Sequence, residues 1–202
     1  MDKGLLIVVS GPSGAGKGTI CAEFMKSHTD CALSVSATTR APREGEVDGV
    51  NYFFLTHDEF KKRIDADGFL EHAVFCENYY GTPKAEVMQM LESGKNVILE
   101  IEVQGALQVR SHYPEAVFVF VLPPSLEDLE ARLRGRGTET DEVIAKRLER
   151  AKAECKYIPK YNYILINDTV ENAVYRLESI ITAEKCVMSR NYKNIEENFI
   201  ER

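Results

Sequence analysis

No apolar run in this sequence approaches the roughly 20 residues that a membrane-spanning helix requires. The longest early run, Leu5 to Val9, is far shorter, and no cleavable signal pattern surrounds it. No C-x-x-C spacing occurs either. The five cysteines (Cys21, Cys31, Cys76, Cys155 and Cys186) are odd in number and scattered, which suits reduced thiols better than a disulfide frame or a zinc site. Together these absences give the cytoplasm as the expected compartment, with no membrane partner. Basic residues are outnumbered 25 to 32, a formal net charge of −7, so there is no broad positive surface with which to coat nucleic acid. A local basic site for a small anion is still compatible with that balance. Repeats, low-complexity tracts and Pro-rich linkers are missing as well. What is present is ordinary globular usage, 44% apolar and 28% charged over 202 residues, which excludes a wholly disordered chain. At about 150 residues per domain, that length predicts one compact domain with insertions.

Leu5-Leu-Ile-Val-Val-Ser10 is a continuous apolar run, as are Val97-Ile-Leu99, Ala116-Val-Phe-Val-Phe-Val-Leu122 and Tyr163-Ile-Leu-Ile166, with a shorter strand at Ala32-Leu-Ser-Val35. Runs buried on both faces and separated by helical stretches predict an α/β fold, a parallel sheet covered by helices on both sides. Helix ends are legible at Thr82-Pro83 with Gly94 as a stop, at Ser125-Leu-Glu-Asp128, at Thr140 with a helix to about Tyr157, and at Thr169. Between about 36 and 82 the pattern changes to short aromatic pieces punctuated by glycines, predicting a small β-rich insertion. A polar, Arg-rich excursion spans about 125–157.

Directly after the first strand comes Gly11-Pro-Ser-Gly-Ala-Gly-Lys17-Gly-Thr19, leading into a helix whose apolar face carries Ile20, Cys21 and Phe24. Glycines let backbone N–H groups converge on a polyphosphate, while the helix end and Lys17 add positive charge, which makes Gly11, Pro12, Ser13, Gly14, Ala15, Gly16, Lys17, Gly18 and Thr19 the candidate ATP-binding residues. The bland alternative, a Gly-rich turn with a surface lysine, explains none of the combined spacing. Gly18 stands where the general motif has a Mg²⁺-ligating Ser or Thr, and Thr19 follows one place later. Magnesium would then lean on phosphate oxygens and water. The GKGT ending resembles nucleoside monophosphate kinases more than GTPases, and the N-K-x-D that reads guanine in GTPases is absent.

Thr38-Thr-Arg40-Ala-Pro-Arg43-Glu-Gly-Glu46 sets two arginines three apart, with Tyr52 beyond. Two guanidinium forks and a phenol suit one phosphate monoester, although Arg43 paired with Glu44 or Glu46 on a solvated loop would look the same. On the helix from Ser125, Arg132 follows Asp128 by four and Arg134 follows Glu130 by four. On the next helix Arg150 precedes Glu154 by four. All three are explicable as exposed ion pairs. Arg147 differs: its neighbours at three and four places are Val143, Ile144, Arg150 and Ala151, so no acid of its own helix faces it. Arg136 lies between two glycines.

Ser36, the 38–46 block, Gly49-Val-Asn-Tyr52-Phe-Phe54, Phe69-Leu-Glu71-His, Asn78-Tyr-Tyr80-Gly-Thr82, Leu99-Glu-Ile-Glu102-Val-Gln-Gly105 and Arg134-Gly-Arg136-Gly-Thr138-Glu occur in order. With the glycine loop they closely resemble the guanylate kinases, ATP:GMP phosphotransferases, of bacterial type, over nearly the whole chain. The resemblance implies a P-loop three-layer α/β/α fold with a five-stranded parallel sheet. Its core would be 1–35, 83–124 and 158–202, with a GMP-binding insertion at 36–82 and a helical lid at 125–157. It implies that Arg40, Arg43, Tyr52 and Tyr80 hold the GMP phosphate, and that Ser36, Glu71, Thr82 and Glu102 surround guanine. Arg136 and Arg147 would clamp the transferring phosphoryl group, with Arg132 near ATP. Guanine's N1–H and N2–H₂ form a donor pair that one carboxylate can accept; adenine presents an acceptor at N1 and leaves that carboxylate unpaired. Without the family, Glu71 reads equally well as a solvent-facing strand residue; for Glu100 and Glu102 the alternative of two acids at a solvated strand end is outweighed by their place at the end of a core strand.

Three positions depart from the family pattern. Asn51 stands where many members carry Asp, and Glu100 and Glu102 stand where many have a shorter Asp. Glu100 is the candidate for contact with Mg²⁺ through water, with Thr19 as a further metal candidate, and Glu102 is the candidate for the guanine amino group. The expected activity is transfer of the ATP γ-phosphoryl group to GMP with Mg²⁺ as cofactor. A noncatalytic guanylate-kinase-like interaction module, a P-loop kinase for adenylate and a nucleotide-hydrolysing regulator are the alternatives. His28, His57, His72 and His112 form no catalytic constellation. Oligomeric state is open, with the polar tail Asn191 to Arg202 available to a second copy.

Overall fold

The computed structural model describes residues 3–135, 137 and 140–200. In chain order it comprises β1 (Leu6–Ser10), α1 (Lys17–Met25), β2 (Cys31–Leu33), β3 (Ala37–Thr38), β4 (Phe53–Phe54), α2 (His57–Asp65), β5 (Phe69–Phe75) and β6 (Asn78–Pro83). There follow α3 (Lys84–Glu92), β7 (Asn96–Glu100), α4 (Val103–His112), β8 (Val117–Leu122), α5 (Leu126–Arg134), α6 (Asp141–Cys155), β9 (Tyr163–Ile166), α7 (Val170–Lys185) and α8 (Met188–Ile195). Five strands form one sheet in the order β2-β7-β1-β8-β9, and every pairing in it is parallel. β1 is buried along its whole length because helices cover both faces, which is why it reads as an unbroken apolar run. On one face Ile7, Val9, Val119, Val121 and Leu165 pack against Ile20 and Phe24 of α1 and Leu177 and Ile181 of α7. On the other, Leu6, Val8, Leu99 and Phe118 pack against Val87 and Leu91 of α3 and Ala106 and Val109 of α4. The chain leaves β1 for β2 on one side and later crosses over β1 from β7 to β8 on the other, so the carboxyl ends of β1 and its neighbours open a crevice where α/β sheets of this kind take ligands.

The expected insertion is a four-stranded sheet in the order β4-β3-β6-β5, but it is not purely β. Helix α2 lies in it and was not anticipated. Its start is nonetheless written in the sequence: Thr56 accepts from the Glu59 N–H while the Glu59 carboxylate accepts from the Thr56 N–H, a complete capping box. Phe60 of α2 is fully buried, stacked on Phe69 at 4.3 Å between ring centres and on Tyr79 at 5.3 Å, and with Ala37 makes a separate small core. Other boundaries shift slightly. β2 covers Cys31–Leu33 rather than 32–35, and α6 ends at Cys155. Pro83 is the N-cap of α3 instead of lying in its first turn, since it also closes β6. Ser125, Thr140 and Thr169 cap α5, α6 and α7 as the sequence predicts. The cysteines are free. Among the described residues no helix is long and apolar enough to cross a membrane.

Phe60→Ala empties the centre of the smaller core and is expected to lower stability by about 3–5 kcal/mol, the range for large aromatic truncations. Urea unfolding followed by circular dichroism measures it.

Candidate active site

The glycine loop occupies the turn from β1 to α1. Gly16 is the N-cap of α1 at φ +93, and no side chain caps the helix, which leaves its first N–H groups available to an anion. A Cβ at Gly16 would also fall 2.3 Å from the Asn167 amide, so the position admits glycine on two counts. Asn167, at the end of β9, is buried and donates from Nδ2 to the Ala15 carbonyl at 2.8 Å. Sequence reasoning missed it; its place just past a core strand's carboxyl end was the available signal. The Lys17 ammonium donates to the carbonyls of Gly11 (2.7 Å) and Pro12 (3.1 Å). Burial lowers its pKa, and the charges of Glu100, Glu154 and Glu102 oppose that shift. Cys21, beneath the loop, is pushed up to about 12 by burial and stays a thiol.

Glu100 ends β7, in register with Val9 of β1. A Cβ at Gly18 would lie 3.3 Å from its carboxylate, so the glycine that replaces the usual Ser or Thr leaves that carboxylate beside the loop. Partial burial raises the Glu100 pKa, and Lys17 pulls it back. Thr19 is exposed at the start of α1.

Beside Glu100, a cleft of about 480 Å³ is lined by Ser36, Tyr52, Glu71, Tyr80, Glu102 and Gly105, among others. Glu71 does not face solvent. It is 8% exposed, and Oε1 accepts from the Thr82 hydroxyl at 2.7 Å. Burial raises its pKa; the Thr82 hydrogen bonds work against this and the charge of Glu102 adds to it. A Cβ on Gly105 would sit 2.7 Å from Glu71 Oε2, so the glycine at the start of α4 is what lets the helix lie against the acid.

The arginine loop is arranged differently from the simple ion pair considered above. Glu46 binds Arg40, not the Arg43 side chain, through a two-pronged contact (3.0 and 2.9 Å), and also accepts from the Arg43 backbone N–H at 2.7 Å. The Arg40 guanidinium lies over the rings of Tyr52 (5.4 Å) and Phe54 (5.8 Å), and Tyr52 meets Tyr80 edge-on. Arg40, Tyr52 and Tyr80 are thereby brought together, while the Arg43 side chain is exposed on the loop. Asn51 spends its side chain locally, accepting from the Val47 N–H at 2.9 Å.

Among the helical arginines, Arg134 pairs with Glu130 as its spacing predicts, and also with Asp141, tying α5 to α6. Arg132 does not pair with Asp128. It donates to the backbone carbonyls of Asn167 (2.7 Å) and Ala15 (3.3 Å), clasping the glycine loop. Arg147 donates to the Ser13 hydroxyl in that loop at 3.0 Å. Arg150 holds Glu154 as predicted but reaches Glu102 with its other arm. Arg136 lies outside the described residues.

A loop of backbone donors and cations thus meets, at Glu100, a cleft lined by a buried carboxylate and by tyrosines that pack with Arg40. Comparison with known proteins gives the family. The family model "Guanylate kinase" matches residues 3–184. The guanylate kinase of Clostridium acetobutylicum is 59% identical over 193 residues, covering 96% of this chain and 92% of that protein. That of Clostridium perfringens strain SM101 is 56% identical over 197 residues, covering 98% and 91%. The crystal structure of guanylate kinase from Anaplasma phagocytophilum superposes with a TM-score of 0.76 at 27% identity, covering 100% of this chain and 97% of that one. The chain belongs to the guanylate kinase family.

Proposed function

We propose that the crevice transfers the γ-phosphoryl group of ATP to GMP, giving ADP and GDP, with ATP on the glycine loop and GMP against the smaller sheet. The buried Glu71 carboxylate, bonded to Thr82 and lying in the same cleft as the tyrosine cluster, is the observation that carries this reading. Its ionised form accepts from N1–H and N2–H₂ of guanine, with Ser36 and Glu102 beside it. Arg40, Arg43, Tyr52 and Tyr80 grip the monophosphate. The segments 36–82 and 125–157 act as acceptor-binding insertion and lid on a core of 1–35, 83–124 and 158–202.

The attacking oxygen belongs to a phosphate whose second pKa is about 6, so it is already anionic at neutral pH and needs no general base. The protein's work is to align two polyanions and to offset their repulsion. Lys17 and the free N–H groups of the loop and α1 hold the donor phosphates. Arg132 fixes the loop, and Arg136 and Arg147 meet the phosphoryl group in transit. Closing the insertion and lid over the crevice excludes water that would otherwise accept the phosphoryl group.

The donor set also fits Mg²⁺ bound with ATP. One carboxylate, Glu100, stands beside Gly18 and the loop, and no cluster of three or more acidic, histidine or cysteine ligands exists among the described residues. An ion held chiefly by phosphate oxygens and water matches that supply. Glu100 would hold it through water, with Thr19 as the further candidate, and when bound the ion neutralises charge on the phosphate oxygens.

Two variants test the division of labour in steady-state kinetics. Arg147→Ala is expected to lower kcat about 100-fold or more while KM for GMP stays within about twofold. Near-normal turnover would remove Arg147 from the phosphoryl clamp. Gly105→Ala drives a methyl group against Glu71 and is expected to raise KM for GMP about tenfold with KM for ATP little changed, the scale of a tight overpacking.

A further inference from the structure

The two acids of the cleft are held unequally. Glu71 is buried and bonded by Thr82. Glu102 is the N-cap residue of α4, yet its side chain makes no capping bond and is 69% exposed. A long acid in that position would sample several rotamers and lose that freedom whenever a ligand fixed it. A second element supplies the anchor. Arg150, on α6, donates from Nη2 to Glu102 Oε2 and from Nε to Glu154 Oε1 at 2.9 Å. Glu154 is itself only 11% exposed, so the far end of this relay is fixed in packed structure. Glu154, Arg150 and Glu102 therefore form a continuous bridge from the base of α6 to the mouth of the cleft, whose wall includes Arg150 itself.

The bridge does not use up the carboxylate. An ionised carboxylate offers about four acceptor positions on two oxygens. Arg150 engages Oε2 and leaves Oε1 for a second donor. The cation also sits between the helix that carries it and an acid whose charge acts on Glu71, easing the cost of placing two carboxylates in one cleft. Arg147, one turn away on the same helix, is directed to the glycine loop at Ser13, so α6 serves both halves of the crevice with different arginines.

We propose that Arg150 is a specificity-positioning residue for the acceptor base: it holds Glu102 so that Oε1 meets the exocyclic amino group of guanine, which rests on the reading of Glu102 as a guanine acceptor. Inosine monophosphate differs from GMP only in lacking that amino group; Glu71 is the same in every variant compared, so a change in the GMP-to-IMP ratio from one variant to another reports the Glu102 contact. Arg150 acts through Glu102 and takes no part in handling phosphate.

Phosphorylation of GMP and of inosine monophosphate is measured for the wild-type chain, Arg150→Gln, Glu102→Ala and the double variant. Arg150→Gln is expected to lower the GMP-to-IMP ratio of kcat/KM about fivefold, the scale of one partly exposed charged contact, through KM for GMP and not kcat. The double variant is expected to match Glu102→Ala, because the two residues act as one unit. An unchanged ratio in Arg150→Gln alongside a reduced ratio in Glu102→Ala would overturn the role of Arg150 and leave the base reading intact. An unchanged ratio in Glu102→Ala would overturn the reading of Glu102 and the proposal with it. Equal losses of kcat with both acceptors in Arg150→Gln would place the residue with the phosphate-handling groups and overturn the proposal as well.

Discussion

In the proposed reading, the acceptor half of this molecule depends on one constraint, a buried carboxylate that no cation pairs with among the described residues. Glu71 receives the Thr82 hydroxyl and lies against a glycine, and the charge of another acid, Glu102, acts on it. Burying such a group disfavours its ionised form, and the effect is a raised pKa. A ligand that presents two N–H donors reverses the balance, favouring the anion and pulling the pKa back down. A purine with an acceptor at that edge deepens the penalty instead. In the proposed reading, selectivity comes from a group left under-satisfied in the empty protein, which rejects the wrong base more strongly than apolar shape alone can.

The fold supplies the opposite charge at the other half of the same crevice. β1 delivers the glycine loop and α1 its uncapped N-terminus, β7 delivers Glu100 one strand away, and β9 delivers Asn167 to brace the loop. All of these sit at carboxyl ends of parallel strands, so one topological feature places donors, cations and carboxylates within reach of each other. The two remaining pieces extend over that edge. One is the small sheet with its own aromatic core, and the other is the α5–α6 pair, stitched together by Arg134 and reaching the loop through Arg132 and Arg147. The separate cores of these pieces, around Phe60 and around Leu129, Leu133 and Ile144, make each a packed body in its own right.

The central sheet was legible because strands buried on both faces need no alternation, as in Leu6–Ser10 and Val117–Leu122. Tyr163–Ile166 is as apolar, but it lies at the sheet edge with Ile164 and Ile166 exposed, contrary to the burial its sequence predicts. The two-residue strands Ala37–Thr38 and Phe53–Phe54 are too short to carry any period, and α2 was overlooked although Thr56 and Glu59 announce it. Side-chain partners on a single helix were readable by spacing, as Arg134 with Glu130 and Arg150 with Glu154. Partners contributed by distant segments were not. Spacing gave Arg132 to Asp128, whereas the fold gives it backbone carbonyls of the loop and of Asn167. The same limitation hid Glu46 behind Arg40, Arg150 behind Glu102, and the burial of Glu71, whose surrounding sequence alternates too poorly to declare a face.

The most direct test of Glu71 as reader of the acceptor base compares ATP-dependent phosphorylation of GMP and AMP by the wild-type chain and by Glu71→Gln. The account predicts a wild-type preference for GMP of about 10⁴-fold or more in kcat/KM, as expected where a site is built around hydrogen bonds that the wrong ligand leaves unpaired, and loss of most of that preference in the variant. AMP used as efficiently as GMP by the wild-type chain, or a preference undiminished in Glu71→Gln, would contradict it.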